Sequence, residues 1–266
     1  MDLKDIERSI IKTYRGKIYK KFIRAVKDFE LIEENDSICV CISGGKDSFL
    51  LAKCMQELQI HSKYHFDLKF LVMDPGYAKS NLEQIKNNLE KLNIPAKIFK
   101  TDIFNKIKNE SNPCYLCARK RRGNLYYFAK EMGCNKIALG HHFDDVIETI
   151  LLNIFYAGEY KTMMPKLKSK NFSSMELIRP LYYVKEQDII SFAKYNNLTF
   201  LDCACSVTKK NLGKRNEIKE LISNMRKVYK HTDINILRSS NNINLDQVLG
   251  YKKDSEYKSF LDYYDE

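Results

Sequence analysis

Two groups of residues in this 266-residue chain have the types and spacing of reactive chemistry. The first is Ser43-Gly44-Gly45-Lys46-Asp47-Ser48, which packs two glycines, a lysine and two hydroxyls into six positions. Glycines let backbone N–H groups approach an oxyanion with no Cβ in the way, and a lysine adds a point charge, so the run suits phosphate. Asp47 is the odd member, because a carboxylate repels phosphate unless it orients a donor or holds Mg²⁺. The second group is cysteine. Cys114 and Cys117 form a C-x₂-C, and Arg119-Lys120-Arg121-Arg122 follow after one alanine. Such cations favour the thiolate, the form that binds metal. Cys203 and Cys205 make a later pair among polar and turn residues. Four thiolates suit a tetrahedral zinc, and three suit an iron–sulfur cluster with one open iron. C-x-C is an awkward bite for one zinc, so the spacing favours the cluster, with a redox dithiol and a structural zinc as alternatives.

Loops of this kind need rigid elements behind them. The apolar run 37–42 (SICVCI), bounded by Asn35-Asp36 and Ser43-Gly44-Gly45, reads as a buried strand. Helix formers over 47–58 then place the glycine loop at a helix N-terminus, where unpaired N–H groups and the dipole attract anions. Strands are expected at 68–73, 96–99 and 136–140, with helices at 47–58, 80–93, 117–132 and 144–156. Ser80 is the expected N-cap of the second helix, with Glu83 three residues on. Four strands alternating with helices predict an α/β fold, a doubly wound and mainly parallel sheet covered on both faces. The opening 35 residues read as a basic helical segment, 160–175 as a polar loop, 176–181 as a further strand and 184–230 as mainly helical. The division expected is therefore 1–35, a core of 36–205, and a basic helical segment over 206–266.

The net charge of +11 is unevenly spread. Residues 12–27 hold seven basic and no acidic side chains, 161–185 six against one, and 206–231 eight against two. Basic blocks on an otherwise balanced chain are the footprint of a polyanion through counterion release, and solvated helix faces are the bland alternative. Lys20, Lys21, Lys214 and Arg215 are the candidates for phosphate contact. No apolar run approaches a membrane span, and the charged opening MDLKDIERSI is unlike a secretory signal, so the cytoplasm is the expected compartment and a membrane is not an expected partner. In that reducing setting the eight cysteines should be thiols, and Cys39, Cys41, Cys54 and Cys134 sit where core residues are expected.

The glycine loop resembles that of the N-type ATP pyrophosphatases, which cleave ATP between the α and β phosphates to adenylate a substrate. SGGKDS, PCYLCARKRRGNLYYFA, ALGHHFDDVIETILLNIFY, IRPLYYVKEQDI and the late cysteine pair follow one another in the order of the tRNA 2-thiocytidine synthetase family. The likeness spans roughly residues 20–230. It implies a Rossmann-like adenine nucleotide fold in which Ser43, Gly44, Gly45, Lys46, Asp47 and Ser48 bind pyrophosphate and Met73 marks where the backbone reads adenine. Gly140, His141 and Asp145 then lie near the ATP phosphates. Cys114 and Cys117 match two ligands of a [4Fe–4S] cluster. The family usually has C-x₂-C where this chain has C-x-C, so the third ligand falls to Cys205, with Cys203 as runner-up. Adjacent histidines project to different sides, so His141 is expected to close the nucleotide pocket, while Asp145 meets Mg²⁺ or caps its helix.

The reaction implied is attack of a cytidine O2 on the α-phosphorus of ATP, then replacement of the adenylated oxygen by sulfur. The family likeness names cytidine 32 of the tRNA anticodon loop, a single-stranded site. Arg119, Lys120, Arg121 and Arg122 would position that loop, and Tyr126, Tyr127 and Phe128 either stack on bases or fill the core. A sulfur donor, either a cysteine desulfurase or free sulfide, is an implied partner, and family members are often homodimers. Two rivals stand beside this reading: the same chemistry on a tRNA uridine or a small molecule, and a nucleotide- and cluster-binding redox sensor without turnover.

Overall fold

The computed structural model describes residues 2–104, 113–201 and 213–264. At its centre lies β1 (Ser37–Ile42), buried over all but its first residue. A strand buried on both faces is apolar throughout, and its side chains alternate between faces. Ile38, Val40 and Ile42 enter one core with Phe49, Leu51 and Phe192. Cys39 and Cys41 enter another, with Tyr126, Ala129 and Cys134. The other strands are β2 (Asp67–Asp74), β3 (Ala96–Lys100), β4 (Lys136–Ala138), β5 (Lys166–Lys168) and β6 (Glu176–Ile178). Their order is β3-β2-β1-β4-β6-β5, parallel throughout except for β5 against β6.

Helices α1 (Leu3–Ile11) and α2 (Lys20–Asp28), joined through a π turn at Arg15–Tyr19, share the first core. α3 (Lys46–His61), α4 (Lys79–Lys91) and α5 (Pro113–Glu131) connect the parallel strands. α6 (Phe143–Ala157) and α7 (Glu186–Tyr195) follow β4 and β6. α8 (Gly213–Val228) and α9 (Thr232–Ser239) pack on α6 through Ile218, Ile222 and Leu237. β1 is the switch point: the chain moves outward through α3 to β2, and β4 pairs on its other side. In such sheets ligands bind in the crevice beyond the carboxyl ends of the strands flanking that point.

Three local features depart from the sequence expectation. α4 begins at Lys79 with Ala78 at its N-cap and no side-chain cap, so Ser80 lies inside the helix. The expected polar loop holds β5, whose Lys-Leu-Lys is too short and charged to announce a strand. Lysines on an edge strand also discourage pairing with other chains. Beyond α9, the expected helical segment instead contains a hairpin of β7 (Gly250–Lys253) and β8 (Glu256–Ser259). Its turn residues Asp254 and Ser255 have φ of 50° and 71°, a primed-type turn built without the usual glycine.

One buried charge braces the sheet from below. Lys136 on β4 is 3% exposed, and its Nζ lies 2.7 Å from Asp36 Oδ2 and 3.6 Å from both Glu33 and Glu176. Asp36, also buried, accepts from Asn135 Nδ2 at 2.7 Å. Removing one member of such a group strands the other without a counter-charge. Lys136→Met should therefore lower the unfolding free energy by about 3 kcal/mol or more in urea titration. A loss of only about 0.5 kcal/mol, typical of surface changes, would show that the acids around it are not held by it.

Candidate active site

The glycine loop sits at the switch point, between the end of β1 and the start of α3. Gly45 is the N-cap of α3 and has no side-chain cap, which leaves the first N–H groups of the helix available to an anion. Gly44 has φ +92°, and a Cβ there would come within 2.9 Å of Leu201 Cδ1 and 3.0 Å of Ile85 Cδ1. Only glycine fits both that backbone and that space. Ser48 is buried, and its hydroxyl donates to the Gly45 carbonyl at 2.8 Å and accepts from Ser43 N–H at 3.2 Å, bracing the loop from inside. Gly140, just past β4, stands against the same turn: a Cβ would lie 3.0 Å from Asp47 C and from Ser48 N. The G-H-H segment thus has its glycine where the backbone of α3 leaves no room.

His142 is the N-cap of α6 and forms a reciprocal box with Asp145. The Asp145 N–H donates to His142 Nδ1 at 3.4 Å, and His142 N–H donates to Asp145 Oδ2 at 3.0 Å. Of the two expected roles for Asp145, capping is the one seen. His142 Nε2 also lies 3.9 Å from Asp47 Oδ1. His141 Nδ1 accepts from Arg179 Nε at 3.3 Å, so Nε2 carries the ring proton. Burial, reinforced by the Arg179 charge, pushes His141 down to about 4, which keeps it neutral near pH 7.

Charge converges here from four helices. Lys46 Nζ lies 3.0 Å from Glu186 Oε1 of α7 and 3.4 Å from Asp47 Oδ2. Burial alone would lower the Lys46 ammonium, but Asp47 and Glu186 outweigh it and raise it. Burial raises the Asp47 carboxyl despite His142 and Lys46. Its Oδ1 is buried with no hydrogen-bond partner among the described residues. That oxygen lies 3.3 Å from Lys46 Nζ without an aligned hydrogen bond, and a carboxylate so placed beside a phosphate loop suits a further cation or a donor brought by ligand. No cluster of three potential ligands stands ready for a metal among the described residues.

The basic residues divide by environment. Arg119, Lys120 and Arg122 on α5 are exposed, whereas Arg121 is half-buried. Lys20 is exposed, and Lys214 lies over the Tyr156 ring at 4.8 Å. Lys21 pairs with Asp188 at 3.0 Å, and Arg215 reaches Asp145 at 2.6 Å and Glu148 at 2.7 Å. Both were expected on RNA phosphates; α7 and α6 instead bring carboxylates to them. Of the three aromatic residues, Tyr126 stacks on Phe172 and Phe128 on Phe99 within the fold, while Tyr127 is exposed. Cys39, Cys41, Cys54 and Cys134 are buried. Met73, at the carboxyl end of β2, is buried against Ile103, Phe104, Leu116 and Cys117.

Leu201 and Tyr77 close on the loop from two sides. Leu201, two residues before Cys203, donates its N–H to the Gly44 carbonyl at 3.1 Å. Tyr77 donates its hydroxyl proton to the Ser43 carbonyl at 3.0 Å, and Cys117 is half-buried on α5 against Met73 and Ile103. The Cys114 side chain, Cys203 and Cys205 lie outside the described residues. Glu186, Arg179, Tyr77 and Lys219 are site residues that sequence reasoning missed. The only signal was the IRPLYYVKEQDI segment, which carries two of them.

Residues 15–226 match the PP-loop domain family. The chain is 38% identical over 236 residues to tRNA-cytidine(32) 2-sulfurtransferase of Geobacter metallireducens, covering 87% of this chain and 91% of that one. The protein of the same name from Coxiella burnetii is 37% identical over 247 residues, covering 89% and 94%. Among solved structures, the U34-tRNA thiolase NcsA from Methanococcus maripaludis with its [4Fe-4S] cluster aligns with a TM-score of 0.68 at 22% identity, over 89% of this chain and 84% of that one. That likeness reports the fold. With the glycine loop, the G-H-H segment and the parallel sheet in place, the identities over nearly the whole length make this chain an enzyme of the tRNA-cytidine(32) 2-sulfurtransferase family, built on a PP-loop domain.

Proposed function

We propose that the enzyme adenylates O2 of cytidine 32 in the tRNA anticodon loop and replaces that oxygen with sulfur. The observation that supports this most is the glycine loop at the uncapped N-terminus of α3, with the Lys46 ammonium beside it and Gly140 packed on its first turn.

In the first step the cytidine oxygen attacks the α-phosphorus of ATP, the bond to the β-phosphate oxygen breaks, and pyrophosphate leaves. The N-terminus of α3 and the Lys46 ammonium face the loop and stabilise the departing charge, a preorganised electrostatic contribution. Pyrophosphate oxygens would replace the Glu186 and Asp47 carboxylates around Lys46. Neutral His141, with its proton on Nε2, can donate to a phosphate oxygen without titrating. Asp47 is the side chain that fits Mg²⁺, which would neutralise triphosphate charge when bound. In the second step sulfide-level sulfur, supplied as free sulfide or as a cysteine desulfurase's persulfide sulfur after two-electron reduction by thiols, attacks C2; the C–O bond breaks and AMP leaves with the original oxygen. Cys114, Cys117 and one of Cys205 and Cys203 would hold a [4Fe–4S] cluster, which supplies an iron able to bind inorganic sulfur. Exposed Arg119, Lys120 and Arg122 would bring the anticodon loop to this edge, with Lys20 and Lys214 on more distant phosphates.

With tRNA the protein should release AMP and pyrophosphate, and nucleoside mass spectrometry should find 2-thiocytidine. ADP as product, or a thiolated uridine, would reject the assignment. Lys46→Ala and Asp47→Ala should each cut AMP formation about a hundredfold or more while retaining bound iron.

Anaerobically prepared protein should carry close to four iron and four sulfide per chain, the stoichiometry of a cubane. Cys114→Ala, Cys117→Ala and Cys205→Ala should lose it, and Cys54→Ala should keep it. Zinc in place of iron would sink the cluster, and loss with Cys203→Ala alone would exchange the third ligand.

For the RNA surface, neutralising Lys20 and Lys214 should each reduce the salt slope of tRNA binding by roughly 0.7–0.9 units. Lys21→Gln should leave that slope unchanged, since its charge already meets Asp188. Slopes unchanged from wild type in the Lys20 and Lys214 variants would make these blocks solvated faces.

A further inference from the structure

Glu186 stands on the lysine of the phosphate loop, where a binding site for anions has no evident need of an acid. It is the first residue of α7, and its N–H donates to the buried Asp144 Oδ2 at 2.7 Å, while Asp144 Oδ1 accepts from Arg226 at 2.7 Å. The backbone of Glu186 is thereby pinned to the first turn of α6. From there its two oxygens divide. Oε1 accepts from Lys46 Nζ at 3.0 Å, and Oε2 accepts from Lys219 Nζ of α8 at 3.3 Å. Asp47 flanks the same Lys46 ammonium at 3.3 Å from within the loop, whereas Glu186 reaches it from another helix. Lys46 and Glu186 are half-buried and Lys219 is more exposed, so a ligand can reach both pairs. Burial raises the Glu186 carboxyl, but Lys46 and Lys219 outweigh it and hold it low, so it is an anion near pH 7. The N-cap of α7, Lys185, offers no side-chain cap, and the helix dipole favours a negative charge at the next position.

We propose that Glu186 is a positioning residue that competes with pyrophosphate for Lys46 and reclaims the ammonium as pyrophosphate leaves, with Lys219 holding the carboxylate while the loop is occupied. The inference rests on the function proposed above and deepens it. A phosphate oxygen that enters the loop must displace Oε1 from Lys46. The displaced carboxylate keeps Lys219 and the N-terminus of α7, so its release is not the stranding of a bare charge. After the α–β bond breaks, Lys46 and the loop hold the very group that has to depart. Binding that is equally strong in substrate and product does not raise kcat, and a tethered carboxylate at high effective concentration limits it. Lys219 sets the balance, because a carboxylate shared between two ammonium groups holds each less firmly. Glu186 touches no reacting atom in this scheme and acts through Lys46.

The test is calorimetric binding of inorganic pyrophosphate to full-length wild type, Glu186→Gln, Lys219→Met and the double variant. Glu186→Gln keeps the side chain's size and deletes its charge. It should tighten pyrophosphate about fivefold and move AMP less than about twofold, the scale of a partly exposed ion pair. A residue that only supported the fold would weaken binding when changed. Lys219→Met should weaken pyrophosphate about threefold, since Glu186 then falls wholly to Lys46, and should change it less than about 1.5-fold in the Glu186→Gln background. In the reconstituted enzyme, Glu186→Gln should lower kcat and KM for ATP together, with pyrophosphate a stronger product inhibitor. Unchanged or weaker pyrophosphate binding in Glu186→Gln that unfolds at the wild-type urea midpoint would overturn the proposal. So would an equal gain for AMP, which makes Glu186 a general repulsive charge, or an equal loss with Lys219→Met in both backgrounds, which makes Lys219 a direct phosphate contact. No weakening with Lys219→Met would overturn it by itself, whatever the stability of Glu186→Gln. Wild type that neither binds pyrophosphate nor forms AMP would remove the function above, and this proposal with it.

Discussion

The first turn of α3 comes so close to the end of β4 that position 140 has no space for a side chain. Most of the site follows from that contact. It fixes the distance between the glycine loop, which enters α3, and the histidine pair, which enters α6. Two helix N-termini thereby meet at the switch point, one capped by glycine and left open, the other closed by His142 and Asp145. A closed N-terminus beside an open one tells an anion which to choose. Because His142 also approaches Asp47, the α6 cap and the phosphate loop form one packed unit rather than two neighbouring loops.

Around that contact the protein has assembled more charge than folding needs. Lys46 meets Glu186, Glu186 meets Lys219, Lys219 meets Glu148, and Glu148 meets Arg215, which continues to Asp145. Burying this chain of charges costs desolvation, and such groups seldom add net stability over apolar residues. Within the proposed function their value lies in exchange, a phosphate oxygen taking the place of each carboxylate on Lys46 with little change in the lysine. Burial and partners pull Glu186 and Asp47 in opposite directions, the first held low by Lys46 against its burial, the second raised. The two acids that flank one ammonium therefore differ in how readily each gives it up.

The sheet was legible in the sequence because its central strands are apolar throughout and its loops fall where glycine and aspartate cluster. SICVCI matched β1 to the residue, and the glycine loop announced itself by composition. Elements set by tertiary context were not legible. β5 is three residues with two lysines, and it becomes a strand only because β6 offers it an edge. The C-terminal hairpin turns on Asp254-Ser255, a pair without the asparagine–glycine signature. Within the site, residue types were readable and partners were not. Arg215 looks like a phosphate ligand in a basic block until α6 places Asp145 and Glu148 beside it. Tyr77 is one tyrosine among seventeen until the turn after β2 aims it.

The alternation of β1 sends its cysteines to one face and its branched aliphatic residues to the other. That geometry also sorts the thiols by reactivity. Burial pushes the Cys54 thiol far up, and a hydrogen bond with Cys39 together with burial does the same to Cys134. Thiols held protonated in the core are slow toward peroxides and electrophiles, which attack the thiolate. Cys117 is half-buried on α5, outside that packed group. Oxidants therefore reach the thiols of the core only slowly, and the packing of the sheet does not depend on a reducing medium to last.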